Sequence, residues 1–282
     1  MNSFAYAALA STFSLAATVS HATLTAYWDF EDGLAATSTD MSISPFTTSE
    51  TFPTGSSIVA GGVTGSNFSY HSTGANGSFI NTNVSGTSMG ITGSGSKTLV
   101  AWVKSDTVGA WNNGDRYGIL SYSPDGGSGS GDSLRLLIDE NAGGLRFEVS
   151  AGFIALSQTN LDDGNWHMLA VVINAGDTVG DVDLYLDGEF LAHDSSGTPT
   201  RFINTGTSAT PGNIANMAIG ATQNTVGGGA DAFKGQIDGV RVYDEALSEV
   251  ALDNIYTTVP EPQTYALVGA IGLAVFVLRR RK

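Results

Sequence analysis

The sequence predicts an all-β protein, a sandwich or jelly roll, on three observations. Short runs of β-branched, aromatic and aliphatic residues recur along the chain. Glycine, 36 of 282 residues, punctuates those runs at turn positions. Helical periodicity is almost absent between them.

Residues 34–96 are rich in Ser, Thr, Gly and Asn, a composition that permits a flexible spacer. Against that, Phe46, Phe52, Ile58, Val59, Phe68, Tyr70, Phe79 and Ile80 recur through it, which predicts short strands joined by long loops. After Lys97 the signals sharpen. Residues 98–103 (TLVAWV) and 133–138 (SLRLLI) read as strands, and Leu145-Arg146-Phe147-Glu148-Val149 alternates apolar and charged residues as a half-buried strand does. Asp162-Asp163-Gly164-Asn165 reads as a turn before the strand at 166–173. In residues 181–192, Val182, Leu184 and Leu186 share one face while Asp183 and Tyr185 share the other. Asp187-Gly188 then supplies the two positive-φ positions of a tight hairpin. The one helical pattern is Ser248 to Tyr256, with Ser248 as cap and Val250, Leu252 and Ile255 as its apolar stripe.

The two ends carry export signals. Residues 1–22 read as a signal peptide: Phe4 to Ala17 is apolar, and Ser20-His21-Ala22 supplies small residues before a cut after Ala22. No Lys or Arg stands ahead of that run, so its positive charge rests on the amino terminus. At the other end, residues 259–282 place Pro260-Glu261-Pro262 before an apolar run, Thr264 to Leu278, and a basic tail at 279–282. Those 15 residues span roughly 22 Å as a helix, against a bilayer core of about 30 Å. Arg279, Arg280, Arg281 and Lys282 resist translocation and can snorkel, so the run reads as a short transmembrane segment with everything before it outside the cytoplasm. This tail resembles the PEP-CTERM sorting signal of Gram-negative bacteria. The resemblance implies handling by an exosortase-type transpeptidase and a link to exopolysaccharide and biofilm. A permanent tail anchor or a buried terminal helix is the plainer alternative.

Between those signals, residues 23–258 suffice for one domain with a sizeable core. Setting aside Glu261 and the four terminal cations leaves eight Lys/Arg against twenty-six Asp/Glu, a net of −18. Such a surface repels nucleic acid and anionic lipid; by default it serves to keep an exported protein soluble, and the alternative is that it attracts divalent cations. The absence of cysteine excludes disulfides, thiolate catalysis and Cys-ligated zinc.

Several segments, in order, resemble the laminin-G-like, concanavalin A-like jelly roll of two antiparallel sheets. They are Ala26 to Gly33, Gly77 to Ile80, Leu99 to Lys104, Asn165 to Ala170, the hairpin from Val182 to Leu191, and Phe233 to Ser248. In such folds sugars dock on the concave face and the loops at its rim. That resemblance points to Trp111, in the loop WNNGDRY, with Asn113 and Asp115 beside it, as a ligand-binding cluster; the alternative is that Trp111 folds back over the core edge. Trp28, Trp102 and Trp166 fall in strands and read as core. The resemblance also implies a structural calcium ion joining first strand to last through Glu31 or Asp32 with Asp238. Gly239 stands where the family usually has a second acid, and acidic pairs in turns are commonly solvated caps.

No catalytic pattern stands out. Gly86-Thr87-Ser88-Met89-Gly90 fits G-x-S-x-G but lies in a Ser/Gly-rich loop without the strand and helix that the elbow requires. His71, His167 and His193 have no metal-ligand spacing, and the closely spaced acids of concanavalin-like glycosidases are missing. The expectation is an exported surface or matrix protein that binds glycan or protein without catalysis. A structural biofilm component and, less favoured, a degenerate glycosidase are the alternatives.

Overall fold

The structure, a computed structural model, describes residues 23–30, 56–63, 67–75, 78–106, 116–123, 131–139, 144–157, 159–206, 216–225 and 228–258. Its strands, in chain order, begin with β1 (Leu24–Trp28), β2 (Ser57–Ala60), β3 (Phe68–Thr73), β4 (Ile80–Ser85), β5 (Lys97–Ser105) and β6 (Arg116–Tyr122). Next come β7 (Leu134–Asp139), β8 (Gly144–Val149), β9 (Gly152–Ala155), β10 (His167–Ile173), β11 (Asp183–Leu186) and β12 (Glu189–Leu191). The last are β13 (Ser195–Gly197), β14 (Asn216–Ile219), β15 (Thr222–Thr225), β16 (Gly228–Ala230) and β17 (Lys234–Tyr243), before helix α1 (Glu249–Thr258). They form two antiparallel sheets, the expected jelly-roll sandwich. The first sheet runs β12-β11-β10-β5-β17-β3-β2, with β1 also on β17; the second runs β13-β9-β8-β7-β6-β14-β4. β15 and β16 make a separate hairpin.

Strand alternation builds the core between the sheets. Leu99, Ala101 and Val103 on β5, Leu169, Val171 and Ile173 on β10, and Ile237 and Val242 on β17 face Leu134, Leu136 and Ile138 on β7 and Leu145, Phe147 and Val149 on β8. Each such side chain contributes about 1.5–3 kcal/mol on burial. The alternate residues of the first sheet are apolar too. Val100, Trp102, Met168, Ala170, Val172 and Tyr185 form a second core with Leu247 and Leu252. The roof of this layer is α1, where Tyr256 stacks on Trp102 with ring centroids 5.5 Å apart and 12° between planes. Trp102 is therefore buried as expected, but under the helix rather than between the sheets, and Trp166 is half-buried against the same layer.

Ser248 does cap α1, its hydroxyl oxygen accepting from the Ala251 N–H at 3.3 Å. The stripe differs from the expected one. Leu252 is fully buried with Ala251, Ile255 and Tyr256 around it, whereas Val250 is 71 % exposed. Two residues along a helix turn through about 200°, so Val250 and Leu252 cannot share a face.

The hairpin from β11 to β12 has Asp187 at φ 53° and Gly188 at φ 85°, the expected tight turn. The chain before it is a short 3-10 turn at Val179–Asp181, closed by Asp181 on Thr178, so the strand starts at Asp183. Lys97, fully buried at the start of β5, donates to the Gly93 carbonyl at 2.9 Å and to Thr205 Oγ1 at 3.2 Å. Burial pushes its pKa down to about 8. Gly118 on β6 has no room for a side chain: a Cβ there would lie 2.3 Å from the Ala221 carbonyl carbon and the Thr222 nitrogen, where the chain crosses toward β15.

Candidate functional site

The sequence singled out Trp111, Asn113 and Asp115, and these lie outside the described residues, as do Glu31, Asp32, Pro260, Glu261, Pro262, Arg279, Arg280 and Arg281. The signal peptide and the apolar run at 264–278 lie outside them too. β5, in the first sheet, and β6, in the second, flank Trp111, Asn113 and Asp115 in sequence, and Arg116 at the start of β6 is the residue directly after Asp115. Arg116 opens a cluster of charged side chains that sequence reading did not assign to a site.

The cluster arises from strand alternation. Leu134, Leu136 and Ile138 point into the core, so Arg135 and Asp139 point outward; Leu145 and Phe147 point in, so Arg146 and Glu148 point out. Register then brings them together: Arg116 lies opposite Asp139, Arg135 opposite Glu148, and Glu148 opposite Phe153. Arg146 is the hub. Its Nη1 donates to Asp139 Oδ2 at 2.7 Å, and its Nη2 and Nε donate to Glu148 Oε2 at 2.6 and 3.0 Å. Its guanidinium carbon sits 3.6 Å from the centroid of the Phe153 ring. Arg135 Nη1 donates to the other oxygen, Glu148 Oε1, at 2.8 Å.

Burial grades across the cluster. Side-chain exposure is 2 % for Asp139, 7 % for Arg146, 13 % for Arg135 and 14 % for Glu148, but 44 % for Arg116. Arg116 also pairs loosely, with Nε 3.6 Å from Asp139 Oδ2 and Nη1 3.8 Å from Glu148 Oε2. Those distances are beyond hydrogen bonding. Among the described residues the buried Arg135 Nε has no hydrogen-bond partner. Three of the eight cations in residues 23–258 thus converge on one sheet face of an otherwise acidic domain. The signal was present in the alternation of charge with Leu and Phe, but the register that joins positions 116 to 148 was not.

Asp238, on β17, is the one residue of the expected calcium set that is described. It is fully buried. Its Oδ2 accepts from the Val63 N–H at 2.8 Å and its Oδ1 from the Gly239 N–H at 2.6 Å, beside a bulge in the β17–β5 register. Gly239 adopts φ 54° there. The carboxylate therefore ties the turn after β2 to the bulge. Among the described residues no group of three or more His, Asp or Glu could hold a metal ion.

Two further groups from the sequence are placed. Ser88 lies in a turn following β4 with its hydroxyl 2.9 Å from that of Ser85, and no strand-to-helix elbow forms around it. His167 bridges two aspartates, with Nδ1 2.8 Å from Asp187 Oδ2 and Nε2 3.2 Å from Asp163 Oδ1. Burial pulls its pKa down, but hydrogen bonds and charge from Asp187 and Asp163 outweigh that and raise it above the usual histidine value. A base whose pKa rises on folding stabilises the fold fully below its unfolded pKa, and that contribution is lost as pH rises through the folded value. The stability gap between wild type and His167→Gln is therefore expected to be larger near pH 6 than near pH 9, measured by urea unfolding at both. An equal gap at both pH values would remove the ion pair from the account.

With this geometry in place, comparison with known proteins identifies the class. The chain belongs to the concanavalin A-like lectin/glucanases superfamily, whose laminin-G family model matches residues 74–251. The PEP-CTERM protein-sorting motif matches residues 258–282. Among solved structures the chain is similar to domain 4 of AbnA, a GH43 extracellular arabinanase from Geobacillus stearothermophilus, in complex with arabinotriose. That match has a TM-score of 0.51 and 18 % identity, covering 83 % of this chain and 98 % of that one. It is also similar to the CBM40 of the Ruminococcus gnavus IT-sialidase, with a TM-score of 0.45 and 19 % identity over 64 % of this chain and 94 % of that one. No curated protein matches. The sorting motif indicates export and implies processing by an exosortase-type system, and both family matches fit a surface protein. Among the described residues no helix is long and apolar enough to cross a membrane.

Proposed function

We propose that this is an exported surface or matrix protein whose jelly roll binds glycan, without catalysis, on the outward face of the second sheet. The observation that carries the reading is the graded arginine–carboxylate cluster on that face, rigid at Arg146 and open at Arg116. Asp139 and Glu148 are both committed to Arg146, which suits them to positioning rather than to acid–base work. Trp111, with Asn113 and Asp115, precedes Arg116 directly in sequence, and we assign to its indole the flat apolar contact with a sugar ring. The arabinotriose held by the AbnA domain supports a glycan as the class of ligand. Delivery by an exosortase-type transpeptidase to the cell surface or an exopolysaccharide matrix completes the reading, and calcium at Glu31, Asp32 and Asp238 is a structural addition to it.

A glycan-array screen of the purified chain, with calcium and again with EDTA, tests this. Selective binding supports the reading, and its loss in EDTA would bring in the ion. Trp111→Ala is expected to weaken the selected glycan at least ten-fold, about 1.4 kcal/mol. Absence of binding under both conditions would favour a structural matrix component instead, and turnover of any glycan would overturn the non-catalytic assignment.

A further inference from the structure

The charge of the same face says which glycans it suits. This step rests on the proposed glycan-binding role and narrows it. Among the described residues, three guanidinium groups, Arg116, Arg135 and Arg146, meet two carboxylates, Asp139 and Glu148, so that this cluster carries one net positive charge on a domain of net −18. The two carboxylates do not repel an incoming anion strongly, because Arg146 bonds both and Arg135 bonds Glu148. What stays open is the guanidinium of Arg116, 44 % exposed and more than 3.5 Å from either carboxylate.

An arginine fork matches a carboxylate in planar, two-point geometry, more closely than it matches a hydroxyl. A neutral sugar would leave the surplus charge unmatched, whereas a sugar acid would neutralise it. The acidic remainder of the surface would meanwhile repel polyanions elsewhere, confining such a ligand to this face. We infer that the outward face of the second sheet takes a carboxylate-bearing sugar, a uronate-type residue of an acidic polysaccharide, with Arg116 as the group that grips the carboxylate.

The test compares polygalacturonate and alginate with their methyl esters, which keep the sugar backbone and lose the charge, and adds poly-L-glutamate as a non-sugar polyanion. The full chain is immobilised and affinities are read by interferometry. Binding of an acidic polymer at least ten-fold tighter than its ester is expected, with at least a ten-fold loss in Arg116→Ala and partial retention in Arg116→Lys. Arg116→Ala should unfold within a few degrees of the wild-type temperature, since among the described residues its side chain makes only two loose ion-pair contacts, at 3.6 and 3.8 Å. Equal binding of acid and ester, or of a neutral glycan alone, would overturn the carboxylate assignment while leaving glycan binding standing. Equal affinity for poly-L-glutamate would overturn the sugar specificity. Failure of every glycan, acidic and neutral, would overturn the glycan reading and this inference with it.

Discussion

Arg146→Ala is expected to destabilise the protein by about 3–5 kcal/mol, lowering Tm by on the order of 10 °C. The side chain itself is not the main loss. Removing it takes the 2.7 Å donor from Asp139, whose side chain is 2 % exposed, leaving the looser Arg116 contact at 3.6 Å, and takes two donors from Glu148, at 14 %. A charge left buried without its partner costs far more than the pair contributes while intact. The Phe153 ring also loses the guanidinium stacked 3.6 Å above it. Calorimetry and urea unfolding of Arg146→Ala, Asp139→Asn and the double variant give the check. The second substitution should cost at least 1 kcal/mol less in the presence of the first, because it removes the stranded charge. Strict additivity would mean that the cluster is a surface ion pair of little consequence.

Asp238→Ala is expected to cost about 3 kcal/mol for a different reason. Here the carboxylate accepts from backbone, and its loss leaves the Val63 and Gly239 N–H groups without that acceptor in a fully buried site. Asp238→Asn should rescue little. Both oxygens act as acceptors, so the amide places an NH2 group against one of those N–H donors. Chemical denaturation of the two variants checks the expectation. If Asn proves nearly wild type, one of the two contacts contributes little to stability.

How much of this was legible in the sequence depends on how local each signal is. The Asp187-Gly188 turn and the β11–β12 hairpin around it were legible because turn chemistry and period-two alternation sit within a dozen residues. Trp102 was read as core, but β5 is apolar on both faces, and alternation cannot say which face another sheet covers and which a helix covers. Val250 was counted into a stripe that the helical period excludes. The arginine cluster was the least legible. Arg116, Arg135 and Arg146 stand on three strands, and the shift between Gly118 and Leu120 decides which residue of β7 each part of β6 meets. A one-residue slip would turn the whole set to the other face.

The place of β17 in the first sheet has a consequence for how the protein is made. β17 is the last strand in the chain, yet it lies between β5 and β3 and also holds β1. None of those three strands has its β17 partner until residues 234–243 arrive, when nine-tenths of the domain's chain has already been synthesised. Partners so distant in sequence join slowly even once all are present. The sorting motif indicates export, and a sheet that is not yet closed suits passage across a membrane. With its keystone strand delivered last, the first sheet can close only once nearly the whole domain is present.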